Sequence, residues 1–346
     1  MYVTPAPSTH DDPLYAIRLA VTGVLALLAV VILNPALPPI IAALPIGLVA
    51  GQRKAFNLTK AIAGPITIIV LVTLMCELIE FLRPLPLVYV LSMWLIYLAS
   101  FLTILKSGAP AGMLIIVITV LMSVMGMHGN ASLEATRDGF IQASLVSLVI
   151  ALIVYTLFPA RTTEKHVDTP VPTEGNILVG AFIRASVLLM LSFWLYSVMT
   201  RSDIMLAIIA AMVIVFPTRQ AVFFEAKQRI RATFYGGGIA LAILIVFTFS
   251  PHLPILLLLI FMGGFWLGNK MLESTRPSMV YQYAFSVALA LIAGAITTQD
   301  PTYATFTRVV LTVIGALLAA GLVALLDAAT HWSKTSDSSS IVIETN

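Results

Sequence analysis

Apolar runs of about twenty residues recur from one end of the chain to the other, and no other feature constrains the fold as strongly. A helix of that length crosses the roughly 30 Å hydrocarbon core of a bilayer. Inside that core every backbone amide needs a partner within the protein, which leaves helices and closed barrels as the only spanning structures. A barrel would show roughly ten-residue segments alternating polar and apolar side chains, and runs such as 87–105 do not alternate. The 346 residues are 60% hydrophobic and only 10% charged, with a mean hydropathy of +1.02, against about a quarter charged in soluble domains. The chain therefore reads as an all-α, polytopic membrane protein. Its isoelectric point near 9.0 does not point to nucleic acid, because the basic residues sit between apolar runs, where they set topology. Cys76 is the sole cysteine, so neither an intrachain disulfide nor a cysteine zinc cluster can form.

Taken in order, the pattern predicts a polar tail over 1–14 and spans at 15–33, 37–50, 61–82, 87–105, 109–127 and 139–158, closing a first membrane unit over 15–159. A polar connector over 160–176 follows. The second unit, 177–327, is expected to hold spans at 177–200, 204–216, 232–249, 255–268, 279–297 and 309–326, before a Ser/Asp-rich tail over 328–346. That makes about twelve transmembrane helices. The first span follows two aspartates rather than a basic stretch and has no A-x-A site before Pro35, so it reads as a retained helix and not a cleaved signal. The second and eighth spans are short; Pro38, Pro39 and Pro45 interrupt the second, and Pro217 ends the eighth. Proline removes a backbone donor and clashes with the preceding turn, so these segments are expected to be broken or kinked.

Equivalent features recur at a nearly constant offset. Arg18 and Arg184 differ by 166 positions, Arg53 and Arg219 by 166, Pro110 and Pro277 by 167, and Arg137 and Arg308 by 171. Four such pairs in order read as two six-helix repeats. An even number of spans per repeat gives both the same orientation, related by an axis along the membrane normal. If the N-terminus is inside, thirteen lysines and arginines, among them Arg53, Lys54, Arg219, Lys227, Arg229 and Arg231, fall on cytoplasmic segments, and only Arg83, Arg137, Arg201 and Arg308 fall outside. Both termini are therefore expected to be cytoplasmic.

The stretch from Asp203 to Ala240 joins a short apolar run, a basic turn and a glycine-rich run, and Ala36 to Ile68 is a degraded copy of it. Paired short, Pro/Gly-broken segments in the two halves are a sequence pointer to a transport site. Two further features, the arginine-led glycine run RIRATFYGGGIA from Arg229 to Ala240 and the arginine-led closing segments Thr136–Arg161 and Thr307–Leu326, resemble the fusaric acid resistance and aromatic acid exporter superfamily, whose repeat is six helices long. With its short connector and tail the chain looks like a minimal, membrane-only branch of it. The resemblance implies an inner-membrane exporter of aromatic or other hydrophobic organic acids or drug-like compounds, often working with a periplasmic membrane-fusion-type adaptor.

Charges inside apolar spans cost about 2.5–3.5 kcal/mol each on insertion scales, so each invites a role. Arg18 and Arg184, at equivalent positions, would set two guanidiniums about the pseudo-twofold axis to hold a carboxylate; the alternative is that both snorkel to lipid phosphate. Tyr281, Gln282 and Tyr283 form a polar aromatic patch on which an aromatic acid can stack and accept a hydrogen bond. Glu77 and Glu80, at i and i+3, are candidate proton carriers if burial raises their pKa, or else an ordinary helix end pairing with Arg83. Asp203 is a third proton candidate, or an N-cap. No HExxH, GxSxG or P-loop is present, so neither an enzyme nor an ATPase is expected, and no cofactor or metal. Transport would draw on the proton gradient. The rival readings are a membrane scaffold that docks an adaptor and a passive channel; the lipid bilayer is a partner in every case, and a homo-oligomer is compatible with each.

Overall fold

The protein is described by a computed structural model over residues 12–50, 57–107, 110–160, 176–198, 219–273 and 278–296. Among the described residues there are ten α-helices and no strand: α1 (Tyr15–Leu33), α2 (Pro38–Ala50), α3 (Leu58–Leu82), α4 (Pro86–Ser107), α5 (Pro110–His128), α6 (Asn130–Leu157), α7 (Ile177–Val198), α8 (Arg219–Phe249), α9 (Leu253–Glu273) and α10 (Ser278–Ile296). They fall at ten of the twelve expected span positions. The expected spans at 204–216 and 309–326 lie outside the described residues.

Seven helices, α1, α3, α4, α6, α7, α8 and α9, are long and apolar enough to cross a membrane; α2, α5 and α10 are shorter apolar helices. Proline opens α2, α4 and α5, at the position where its missing N–H is least missed. Asn34 ends α1 in the left-handed conformation (φ 44°), its N–H donating to the Val30 carbonyl, and Pro35 prevents continuation. Gly129 separates α5 from α6 at φ 130°, a backbone state that side chains exclude. Leu87, Val88, Leu91 and Leu95 make an exposed apolar stripe along α4, and Leu74 and Phe81 are exposed on α3. Such faces are at odds with water and suited to lipid.

Three expectations change. The segment over 128–138 is not a loop: α6 begins at Asn130 and runs 28 residues. The basic stretch after Pro217 is not a turn either, because α8 runs unbroken from Arg219 for 31 residues, about 46 Å. Its residues from Arg219 to Tyr235 include no proline or glycine and are mostly good helix formers, so charge alone does not end the helix. The third change is in α2, which is short, at 13 residues, but passes through Pro45 as one continuous helix. Its neighbours α1, α6 and α10 enclose it, and the tertiary packing outweighs the hydrogen bond that proline removes.

Helix directions follow from named contacts. Leu37 lies against Gly139 while Val49 packs with Ala151 and Tyr155, so α2 and α6 run parallel. Helices α1 and α9 run antiparallel in close contact. A Cβ at Gly268 would lie 2.8 Å from Ala16 Cα, and one at Gly264 would lie 3.0 Å from Ala20 Cα. This is small-residue packing, with Gly264 and Gly268 spaced as in GxxxG. Gly236 of α8 likewise admits the backbone of α10 at Ala284, so the triple glycine lies inside a helix and its first member lets two helices approach. The main pairings include α1 with α9 and α4 with α7, α3 with α5 and α8 with α10, and α4 with α5 and α9 with α10.

Candidate functional site

The most unusual group in the bundle is Arg18, one turn into α1 and 0% exposed. A four-residue step beyond the N-terminus of a helix would ordinarily let a guanidinium reach water or lipid headgroups. Here three groups enclose it. Its Nη2 donates to Oδ2 of Asp12, which is itself 1% exposed. Nη1 donates to the Phe158 carbonyl at 3.2 Å, and the guanidinium carbon lies 5.1 Å from the centre of the Tyr155 ring. The Phe158 carbonyl belongs to the C-cap of α6, where the helix dipole favours a cation. Arg18 thus ties the start of α1 to the end of α6, and the Tyr155 face adds a cation–π contact.

The site is incompletely satisfied. Asp12 Oδ1 and Arg18 Nε are buried with no hydrogen-bond partner among the described residues. Burial pushes the Asp12 carboxyl above its usual pKa, against the opposing pull of Arg18. A guanidinium with an open N–H beside a carboxylate with an open oxygen can exchange one carboxylate partner for another. Asp12 was not singled out from sequence. The only signal was its spacing, six residues ahead of an arginine in an apolar helix, within a stretch that composition marks as a polar tail.

Arg184 is also 0% exposed, and its Nη1 donates to the Gly180 carbonyl at 3.3 Å. Neither arginine has the exposure that snorkelling requires. They occupy separate seams: α1 packs on α2, α6 and α9, and α7 on α4 and α5. Position 178, the counterpart of Asp12 at the 166 offset, is an exposed leucine.

The seam around α7 holds a buried hydroxyl cluster. Fully buried Tyr97 bonds Ser123 Oγ of α5 at 3.1 Å and Ser192 Oγ of α7 at 3.2 Å, and Tyr89 donates to the Ser123 carbonyl at 2.9 Å. Trp94 Nε1 donates to Ser186 Oγ at 3.2 Å. In the α1–α9 seam the facing residues are Gly264 and Gly268 instead. One seam is close and apolar, the other polar.

The remaining candidates are dispersed. Tyr281 is buried and its ring lies 6.4 Å from that of Tyr235 on α8, nearly parallel at 23°; Gln282 and Tyr283 are half-buried. Glu77 is exposed, whereas Glu80 is half-buried and accepts from the Cys76 thiol at 3.6 Å. Arg137 Nη1 approaches the same sulfur at 3.9 Å. Arg83 donates to Asn130 Oδ1. Asp203 lies outside the described residues. No group of three or more His, Cys, Asp or Glu gathers to hold a metal among the described residues.

No curated protein and no solved structure matches the chain. The model of the fusaric acid resistance protein-like family does match it, over residues 188–322, a stretch that takes in the end of α7 and all of α8, α9 and α10 and agrees with the family resemblance of the sequence.

Proposed function

We propose that the protein is an inner-membrane exporter of aromatic or other hydrophobic organic acids, built as two six-helix repeats with both termini cytoplasmic. The observation that carries this reading is the enclosure of Arg18 inside a membrane bundle, paired with a carboxylate and holding an open N–H. A buried cation in a membrane helix is expensive, and a site that can bind a carboxylate gives it a purpose. The repeat reading is supported by the matched pairings: under the 166–167 offset, α1 on α9 becomes α7 on α4, and α3 on α5 becomes α8 on α10.

In this reading the substrate lies between the repeats, beside α2 and its counterpart at 204–216, with Arg18 serving its carboxylate, Arg184 as the equivalent group in the seam of the second repeat, and Tyr281, Gln282 and Tyr283 serving its ring. Glu77, Glu80 and Asp203 are the groups for proton coupling, and a periplasmic membrane-fusion-type adaptor is the expected partner. The proton electrochemical gradient supplies the drive, and its electrical part alone pushes a monovalent anion outward by about 2.3 kcal/mol per 100 mV. A scaffold would need polar groups at its rims and gives no reason for a buried arginine. The test is efflux of a panel of aromatic acids from proteoliposomes under an imposed gradient. Gradient-dependent release above that of protein-free vesicles supports the reading; release equal to protein-free vesicles for every acid, with and without an adaptor, overturns it.

A further inference from the structure

We propose that Arg18 is a carboxylate-binding site occupied at rest by the chain's own Asp12, and that a substrate carboxylate takes over Arg18 as Asp12 leaves it with a bound proton. The inference rests on the organic-acid reading and deepens it by naming what holds the site closed. Asp12 lies ahead of α1, in a short turn whose backbone is held by the Tyr15 N–H on the Asp12 carbonyl at 3.1 Å. A side-chain rotation there can release Arg18 without unwinding α1. Both members carry an open polar atom, Asp12 Oδ1 and Arg18 Nε, each buried without a partner among the described residues. Arg18 Nε is a donor that a second carboxylate oxygen would satisfy in bidentate fashion, which Asp12 from its present position does not do.

The exchange balances as follows. The Asp12 carboxylate gains one proton from the solution and becomes a neutral acid, and the substrate carboxylate forms the ion pair with Arg18; the net charge of the site is unchanged. Burial already favours the neutral acid at Asp12. Among the described residues, few groups are able to influence Asp12. Arg18 and Tyr15 come from α1, and Tyr155 from α6 feels Arg18, Tyr15 and Asp12 together. From α9, Met271 accepts from the Tyr15 hydroxyl, while Lys270 and Glu273 are exposed; α2 has no titratable side chain. The proton enters and leaves at the end of the bundle where α1 begins, so Asp12 gates the site and does not carry a proton across.

The experiment is calorimetric titration of the purified full chain with benzoate, between pH 6 and 8, in two buffers of different ionisation enthalpy. The wild-type protein is expected to take up close to one proton per benzoate bound. Asp12→Asn is expected to bind with no uptake, and more tightly: a plug engaged in about nine molecules of ten lowers the apparent affinity about tenfold. Arg18→Gln is expected to lose binding. Wild-type binding without proton uptake overturns the proposal, needs no variant to fold, and leaves the exporter reading standing. So does uptake that persists unchanged in Asp12→Asn. Absence of benzoate binding and of acid efflux in the wild-type protein overturns both the proposal and the exporter reading.

Discussion

Replacing Arg18 with methionine keeps an unbranched apolar stem but removes the cation, leaving the Asp12 carboxylate, 1% exposed, without its counter-charge. The penalty has a ceiling, because Asp12 can accept a proton instead of staying charged. From an ordinary carboxylate pKa near 4 to pH 7 is about 3 units at about 1.4 kcal/mol each, or about 4 kcal/mol. That agrees with the roughly 3–5 kcal/mol typical of breaking a buried ion pair from one side. The sign follows from the direction of the shift. Losing Arg18 raises the folded-state pKa of Asp12 further, so its contribution to stability is intact below the unfolded pKa and is lost as pH rises. The penalty should therefore shrink by up to about 1.4 kcal/mol for each pH unit as pH falls from 7 toward the raised pKa that Asp12 already has beside Arg18. Adding Asp12→Asn to Arg18→Met should remove most of it at neutral pH. Unfolding of the four proteins of this cycle in micelles, at pH 5 and pH 7, measures all of these quantities. An Arg18→Met penalty that is the same at both pH values, or a double variant no more stable than Arg18→Met alone, would refute the buried-pair reasoning.

Four further outcomes follow from other residues of the bundle. Gly268→Ala should destabilise by about 1–2 kcal/mol, since overpacking costs about 1–3 kcal/mol and better helix propensity returns up to about 1; the new Cβ would lie 2.8 Å from Ala16 Cα. Gly238→Ala, with open space around it, should instead be neutral or stabilising, and thermal unfolding of the two variants side by side is the check. Tyr97→Phe should cost about 1 kcal/mol and no more, because Ser123 and Ser192 keep backbone acceptors at Val120 and Leu188; unfolding of this variant measures it. Glu80→Gln should lower efflux driven by a pH gradient several-fold while leaving benzoate binding unchanged, which paired efflux and calorimetry would reveal.

The spans were legible because lipid imposes a one-dimensional rule, a run of apolar residues of fixed minimum length, and α1, α4 and α7 follow it closely. Helix ends were less so. Charged residues such as Glu134, Arg137 and Lys227 were read as loop because they cannot sit in hydrocarbon, yet helices α6 and α8 simply extend beyond it. Pro45 was read as a break, and the packing that carries α2 through it comes from α1 together with two helices remote in sequence, α6 and α10. Arg18 and Arg184 could be found because a charge in an apolar run stands out. Asp12, Tyr97, Ser123 and Ser192 could not, since hydroxyls are common in spans and a short polar tail gives no hint that one of its carboxylates turns inward. Which polar side chains meet is decided by helix rotation and pairing, and local pattern does not contain that.

The central claim is that buried Arg18 recognises the carboxylate of a transported acid. Its most direct measurement is efflux of benzoate and of its neutral analogue benzamide from proteoliposomes under one imposed gradient, with wild-type protein and with Arg18→Gln. The wild-type protein should release benzoate well above the protein-free rate and leave benzamide at that rate, and Arg18→Gln should release neither. Benzoate efflux that survives Arg18→Gln undiminished would contradict the claim.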